Sequence, residues 1–151
     1  MNVNTQSSVL FSQSSALTGV GMRIQDIQVL VAEGTPAEAG QVKRFLREMG
    51  FLSVDTVTDG YSALIALKKQ AADLLLLDWH LPKMSGEDVL RQLRAIPRFR
   101  LPKVIAMVSG ADDRNLYQKG TDLGVGTYLV RPFAASILQE RIEKEMNQRI
   151  L

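Results

Sequence analysis

Asp73-Leu-Leu-Leu-Leu-Asp78-Trp-His-Leu-Pro-Lys-Met-Ser-Gly86 is the stretch that decides how this chain folds. Leu74 to Leu77 show no polar alternation, so they predict a short strand buried on both faces, as inside a parallel sheet. The apolar run stops at an ionisable group, Asp78, and Pro82 and Gly86 then end regular structure. Open parallel sheets place their sites in the crevice beyond the carboxyl ends of their strands, and Asp78 stands at such an end.

Working outward, Ile27–Ala32 reads as an earlier strand. Thr35 is a candidate N-cap, with Pro36 at the first helical position and Glu38 three residues after the cap. Val42, Phe45, Leu46 and Met49 form one apolar stripe, and Gly50 is the expected stop. Phe51–Val57 predicts a strand, Thr58-Asp-Gly60 a turn, and Tyr61–Gln70 a helix with Leu64 and Leu67 inward. After the leucine strand, Glu87–Ala95 predicts a helix carrying Val89, Leu90 and Leu93, and Pro97 and Pro102 bracket a connection. Lys103–Val108 reads as a strand and Asp112–Leu123 as a helix that Gly120 weakens by about 1 kcal/mol relative to Ala. Thr127–Val130 is the last expected strand, and Ala134–Arg149 a terminal helix with Ile137, Leu138, Ile142 and Met146 inward. Strands alternating with helices make a doubly wound, five-stranded parallel sheet with helices on both faces. Periodicity leaves the strand order open.

The composition suits one domain. The chain has 151 residues, 46% hydrophobic and 23% charged, enough for a sizeable core. A formal charge of +2, from 18 basic and 16 acidic residues, is too balanced to make nucleic acid or an anionic membrane the main partner. The chain has no cysteine, which excludes thiol catalysis, disulfides and thiolate metal sites, and its single histidine excludes a multi-histidine metal centre. No apolar run approaches a membrane span, and the N-terminus lacks a signal-peptide pattern, so a cytoplasmic protein is expected. Residues 1–26 form a polar N-terminal extension, read as a leader rather than a functional arm, and the folded domain is expected over 27–151.

Four predicted strand ends converge on the crevice and bring Glu33 with Gly34, Asp78, Ser109 and Arg131. Val29-Leu-Val-Ala-Glu33, Asp59-Gly60, Asp78 to Gly86, Met107-Val-Ser109 and Tyr128-Leu-Val-Arg-Pro-Phe133 together resemble the receiver domains of response regulators, over Ile27 to about Met146. The resemblance implies a flavodoxin-like strand order 2-1-3-4-5. It implies a stand-alone receiver of two-component phosphorelay signalling, with Asp78 as phosphoacceptor, rather than an enzyme beyond self-phosphorylation and autodephosphorylation. Ser109 and Arg131 would contact the phosphoryl group, and Ser109 and Tyr128 would form the switch. Mg²⁺ would be held by Glu33, Asp78 and the backbone carbonyl of His80, and Pro132 matches a position often preceded by a cis peptide. The implied partners are a sensor histidine kinase or phosphotransfer protein, and a downstream target on the face of the fourth helix, fifth strand and fifth helix. A homodimer is a further expectation.

Two positions depart from the family pattern. Gly34 stands where a second carboxylate should follow Glu33, and Arg131 replaces a lysine. A planar guanidinium prefers bidentate pairing and could hold unmodified Asp78 as an ion pair. Glu33, Asp78 and Arg131 leave a net charge of about −1 where the family has about −2, so divalent affinity should fall. These departures support an alternative reading, a degenerate pseudo-receiver serving as a phosphorylation-independent interaction or dimerisation module. A flavin- or nucleotide-binding enzyme on the same fold is disfavoured, because Glu33-Gly34-Thr35-Pro36 is not a glycine-rich phosphate cradle. The His80 imidazole, lacking partner ligands in the sequence, is read as having no side-chain role, and Trp79 as a loop aromatic over the site.

Overall fold

In the computed structural model, which describes residues 22–112, 114–147 and 150, the leucine run is the centre of the sheet. Five parallel strands lie in the order β2-β1-β3-β4-β5: β1 Gln28–Ala32, β2 Ser53–Val57, β3 Leu74–Asp78, β4 Lys103–Ser109 and β5 Val125–Arg131. The helices between and after them are α1 Pro36–Met49, α2 Gly60–Lys69, α3 Gly86–Arg94, α4 Arg114–Asp122 and α5 Ala135–Met146. This is the doubly wound, flavodoxin-like architecture.

Strand alternation divides the core into two layers. Leu75 and Leu77, with Leu30, Ala32, Val104, Ala106 and Val108, pack under α2, α3 and α4. Leu74 and Leu76, with Val29, Val31, Ile105 and Met107, pack under α1 and α5. All four leucines are fully buried, each contributing on the order of 1.5–3 kcal/mol relative to exposure. A buried strand needs no polar face, which is why this segment shows no alternation.

The helix ends follow local chemistry. The Thr35 hydroxyl accepts the Glu38 N–H at 3.2 Å, and the Ser85 hydroxyl accepts the Asp88 N–H at 3.1 Å. Gly50 adopts φ 108° as the left-handed C-cap of α1, and the next N–H, of Phe51, bonds back to Leu46 O. Phe51 is therefore a buried cap residue and β2 starts at Ser53, two residues later than the pattern suggests. Asp59 opens α2 one residue early by accepting the Ser62 N–H at 2.7 Å. β5 begins at Val125 rather than Thr127, and an irregularity in its register with β4 falls between the Val104–Val125 and Ile105–Thr127 pairs.

Two helices are shorter than expected. Asp112 is spent on the loop before α4, where its carboxylate accepts the Ser109 N–H, so that helix starts at Arg114. α5 ends at Met146, with Asn147 as a left-handed cap. Within α5, Leu138 and Ile142 are buried as expected, but Ile137 turns outward and is 39% exposed. Gly120 is explained by packing: a Cβ there would overlap the Tyr128 hydroxyl. Before β1, Ile24–Asp26 form a single 3-10 turn, and Met22 and Ile24 pack against the α1–α5 layer. The reading of residues 1–21 as a leader lies outside the described residues.

Candidate functional site

The carboxyl edge of the sheet gathers Glu33, Asp78 and Arg131 into one cluster. Asp78 is the last residue of β3, and the Arg131 guanidinium extends from the last residue of β5. Glu33 follows β1 directly, and its N–H is tied to Val57 O at 3.1 Å. Glu33 is 1% exposed and Asp78 6% exposed, so both carboxylates need partners inside the protein.

Those partners are specific. Glu33 Oε2 accepts from Arg131 Nη2 at 2.8 Å and Nε at 3.1 Å. Arg131 Nη2 also lies 3.3 Å from Asp78 Oδ1. The Gly34 N–H is shared between Glu33 Oε1 and Asp78 Oδ2, at 3.1 Å to each. The His80 N–H donates to Asp78 Oδ1 at 3.0 Å. The expected ion pair of Arg131 with Asp78 is present, through one nitrogen at 3.3 Å, but the two-bond anchor of the guanidinium is Glu33. Glu33 is one methylene longer than Asp, and that length carries its carboxylate to the arginine.

Burial pushes the Glu33 carboxyl up to about 7, against the hydrogen bond and charge of Arg131, which favour ionisation. Burial pulls the Arg131 guanidinium down, but the Glu33 hydrogen bond and charge outweigh it and the net direction is upward. The pair becomes ionic as pH rises through about 7.

The remaining candidates lie around this cluster. Ser109 ends β4 beside Arg131 in the ladder, and its hydroxyl oxygen accepts the Ala111 N–H at 3.1 Å. Tyr128 points inward under α4: its O–H donates to Tyr117 O at 2.8 Å, and its ring meets the Tyr117 ring edge-on with centroids 4.8 Å apart. Trp79 is not a lid over the site; it is buried in the α2–α3–α4 layer. The His80 imidazole does have a partner, Asp112 Oδ1 at 2.7 Å, which joins the loops after β3 and β4. The sequence pattern marks Asp112 as a helix start, which hides this contact. The Arg131–Pro132 peptide is cis. Beside the Glu33–Arg131 pair, Val42, Phe45, Pro132 and Phe133 line a cavity of about 300 Å³ that the sequence did not reveal.

Mg²⁺ demands near-ideal octahedral oxygen coordination. Here the two carboxylates are already bridged by a guanidinium, and position 34 brings no third. Among the described residues no group of three His, Asp or Glu side chains could hold a metal ion. The donor set as arranged does not fit a tightly held Mg²⁺.

Comparison with known proteins places the chain. Residues 29–143 match the response regulator receiver domain family. The chain is 34% identical over 119 residues to the chemotaxis protein CheY of Pseudomonas aeruginosa, covering 78% of this chain and 94% of that protein. It is 31% identical over 121 residues to chemotaxis protein CheY-3 of Vibrio cholerae serotype O1, covering 80% and 92%. Among solved structures, it resembles the receiver domain of a sensor histidine kinase from Pseudomonas aeruginosa PAO1, which has a magnesium ion coordinated in its active site cleft. That match has TM-score 0.70 and 26% identity, over 80% of this chain and 98% of the other. A CheY-like receiver domain from Methylobacillus flagellatus matches with TM-score 0.68 and 28% identity, over 79% and 98%. With its fold, its strand-end carboxylate and these matches in agreement, the chain belongs to the response regulator receiver domain family, signalling modules of two-component systems rather than enzymes.

Proposed function

We propose that this receiver accepts a phosphoryl group on Asp78 from a sensor histidine kinase or phosphotransfer protein, in the cytoplasm, and signals by protein contact. The observation that carries the reading is Asp78 itself: a buried carboxylate at the end of the central strand with a guanidinium nitrogen 3.3 Å from one oxygen. A carboxylate attacks an anionic phosphoryl group only where negative charge is offset, and a fixed cation in a partly buried site does this well. Arg131 and the Ser109 hydroxyl, at the ends of adjacent strands, are the proposed phosphoryl contacts. Among the described residues the Ser109 O–H donates to nothing in the resting site. Magnesium affinity is correspondingly low.

The proposed output face is α4, β5 and α5, which also suits a homodimer. Val130 and Ile137 expose apolar surface there, at 46% and 39%. Ser109 and Tyr128 would link Asp78 to that face, since Tyr128 bonds to the α4 backbone. Among the described residues no helix is long and apolar enough to cross a membrane. The test is intact-protein mass spectrometry after incubation with acetyl phosphate or a phosphorylated donor protein. One phosphoryl adduct is expected on the wild type and none on Asp78→Asn. An adduct of equal yield on the variant refutes the assignment.

A further inference from the structure

We propose that Arg131 is a tethered replacement for the divalent cation of this site, so that Asp78 takes its phosphoryl group without bound metal. The inference rests on the reading of Asp78 as phosphoacceptor and adds the source of the positive charge.

Arg131 occupies the position of a bridging cation. Two of its nitrogens bond Glu33 Oε2, at 2.8 and 3.1 Å, and one of the same nitrogens lies 3.3 Å from Asp78 Oδ1. A divalent ion joining the two carboxylates would compete with the guanidinium for one oxygen of each and with the Gly34 N–H for the other. The chain also lacks the charge to attract such an ion. With glycine at position 34, Glu33, Asp78 and Arg131 sum to one net negative charge. The Gly34 backbone serves the cation-free arrangement, because its N–H joins the two carboxylates through a shared hydrogen bond. A Cβ at that position would come within 3.1 Å of Asp78 Oδ2, so a third carboxylate there would need the Asp78 side chain to give by a few tenths of an ångström.

Glu33 is then the anchor of the arginine rather than a metal ligand. Its two bonds hold the guanidinium against Asp78, and the covalent link through β5 keeps the cation in place at any metal concentration. The transfer balances without a co-reactant. With acetyl phosphate, an Asp78 oxygen forms the new O–P bond, the bond from phosphorus to the acetate oxygen breaks, and acetate leaves with the electron pair.

Two measurements at pH 8 on the full chain test this. The first follows Asp78 modification by acetyl phosphate, with a chelator and with millimolar Mg²⁺. The wild-type rate is expected to change by less than about twofold on chelation, while Arg131→Lys, which cannot span both carboxylates, loses at least about tenfold. The second titrates Mg²⁺ by calorimetry and amide chemical shifts. The wild type is expected to show no saturable shift at Glu33 or Asp78, and Arg131→Gln to gain one. Modification of the wild type only with Mg²⁺, or saturable wild-type binding in the millimolar range, overturns the proposal. If the wild type is modified under neither condition, the phosphoacceptor reading fails, and the titration still decides whether the arginine has replaced the metal.

Discussion

Glu33 is where a single methylene changes the chemistry of the site. The Glu33 side chain reaches Arg131 and is buried in doing so. The consequence is a pH dependence with a defined sign. The Glu33 carboxyl is raised from an ordinary 4.5 to about 7 by burial, so between these values the folded state holds a proton that the unfolded chain has released. Its contribution to stability is complete below about pH 4.5 and is lost as pH climbs to about 7, a decline on the order of 1–3 kcal/mol. Urea unfolding at pH 5 and pH 8 should show this decline in the wild type and a flatter response in Glu33→Gln. Glu145, also raised by burial, adds the same slope to both proteins, so the difference isolates Glu33. Equal slopes would contradict the assignment. At this scale the sequence disclosed which side chains stand at strand ends, because strand ends are marked by where apolar runs stop. It did not disclose which carboxylate Arg131 grips, or that Asp112 holds His80. Those contacts depend on side-chain reach across loops separated by tens of residues.

At the scale of elements, the turn from β3 into α3 is tightly constrained by its backbone. Gly86 sends its N–H to Trp79 O at 3.0 Å, and a Cβ on it would stand 2.7 Å from Asp78 O and 3.1 Å from Trp79 Cα. Backbone cannot yield as a flexible side chain does. Gly86→Ala is therefore expected to cost about 1–3 kcal/mol in chemical denaturation and to move the Asp78 and His80 amide resonances. A stability change within a few tenths of a kcal/mol would mean that the loop is slack. Element identity was readable where buried strands lack alternation, as at Leu74–Leu77, and where caps carry their own signatures, as at Thr35 and Gly50. Boundaries were less readable. Phe51 looks like a strand residue but caps α1, and Asp112 looks like a helix start but serves a loop. Trp79 was misplaced because a residue just beyond a strand reads as a loop, while its side chain turns back into the core.

Over the whole molecule, the described residues, from Met22 onward, supply an apolar layer on each face of the sheet. Deleting Met1–Ser15, a polar stretch outside the strand and helix pattern, should therefore leave the melting temperature within about 2–4 °C of the full chain, the shift that 1 kcal/mol produces at this size. A larger fall, read by calorimetry, would mean that the segment contributes to the fold. The alternation of strands and helices made the parallel sheet legible from sequence, but the strand order came from resemblance, since periodicity carries no neighbour information. That order places β1, β3, β4 and β5 side by side, and so unites Glu33, Asp78, Ser109 and Arg131 at one edge. Asp78 is the proposed nucleophile of this edge. The most direct measurement traps the acyl phosphate with borohydride, which reduces the mixed anhydride to an alcohol, and locates the converted residue by tandem mass spectrometry. Conversion at Asp78, and not at Glu33 or Asp112, is the expected result; conversion at another carboxylate, or none in a chain fully exposed to phosphoryl donor, would contradict it.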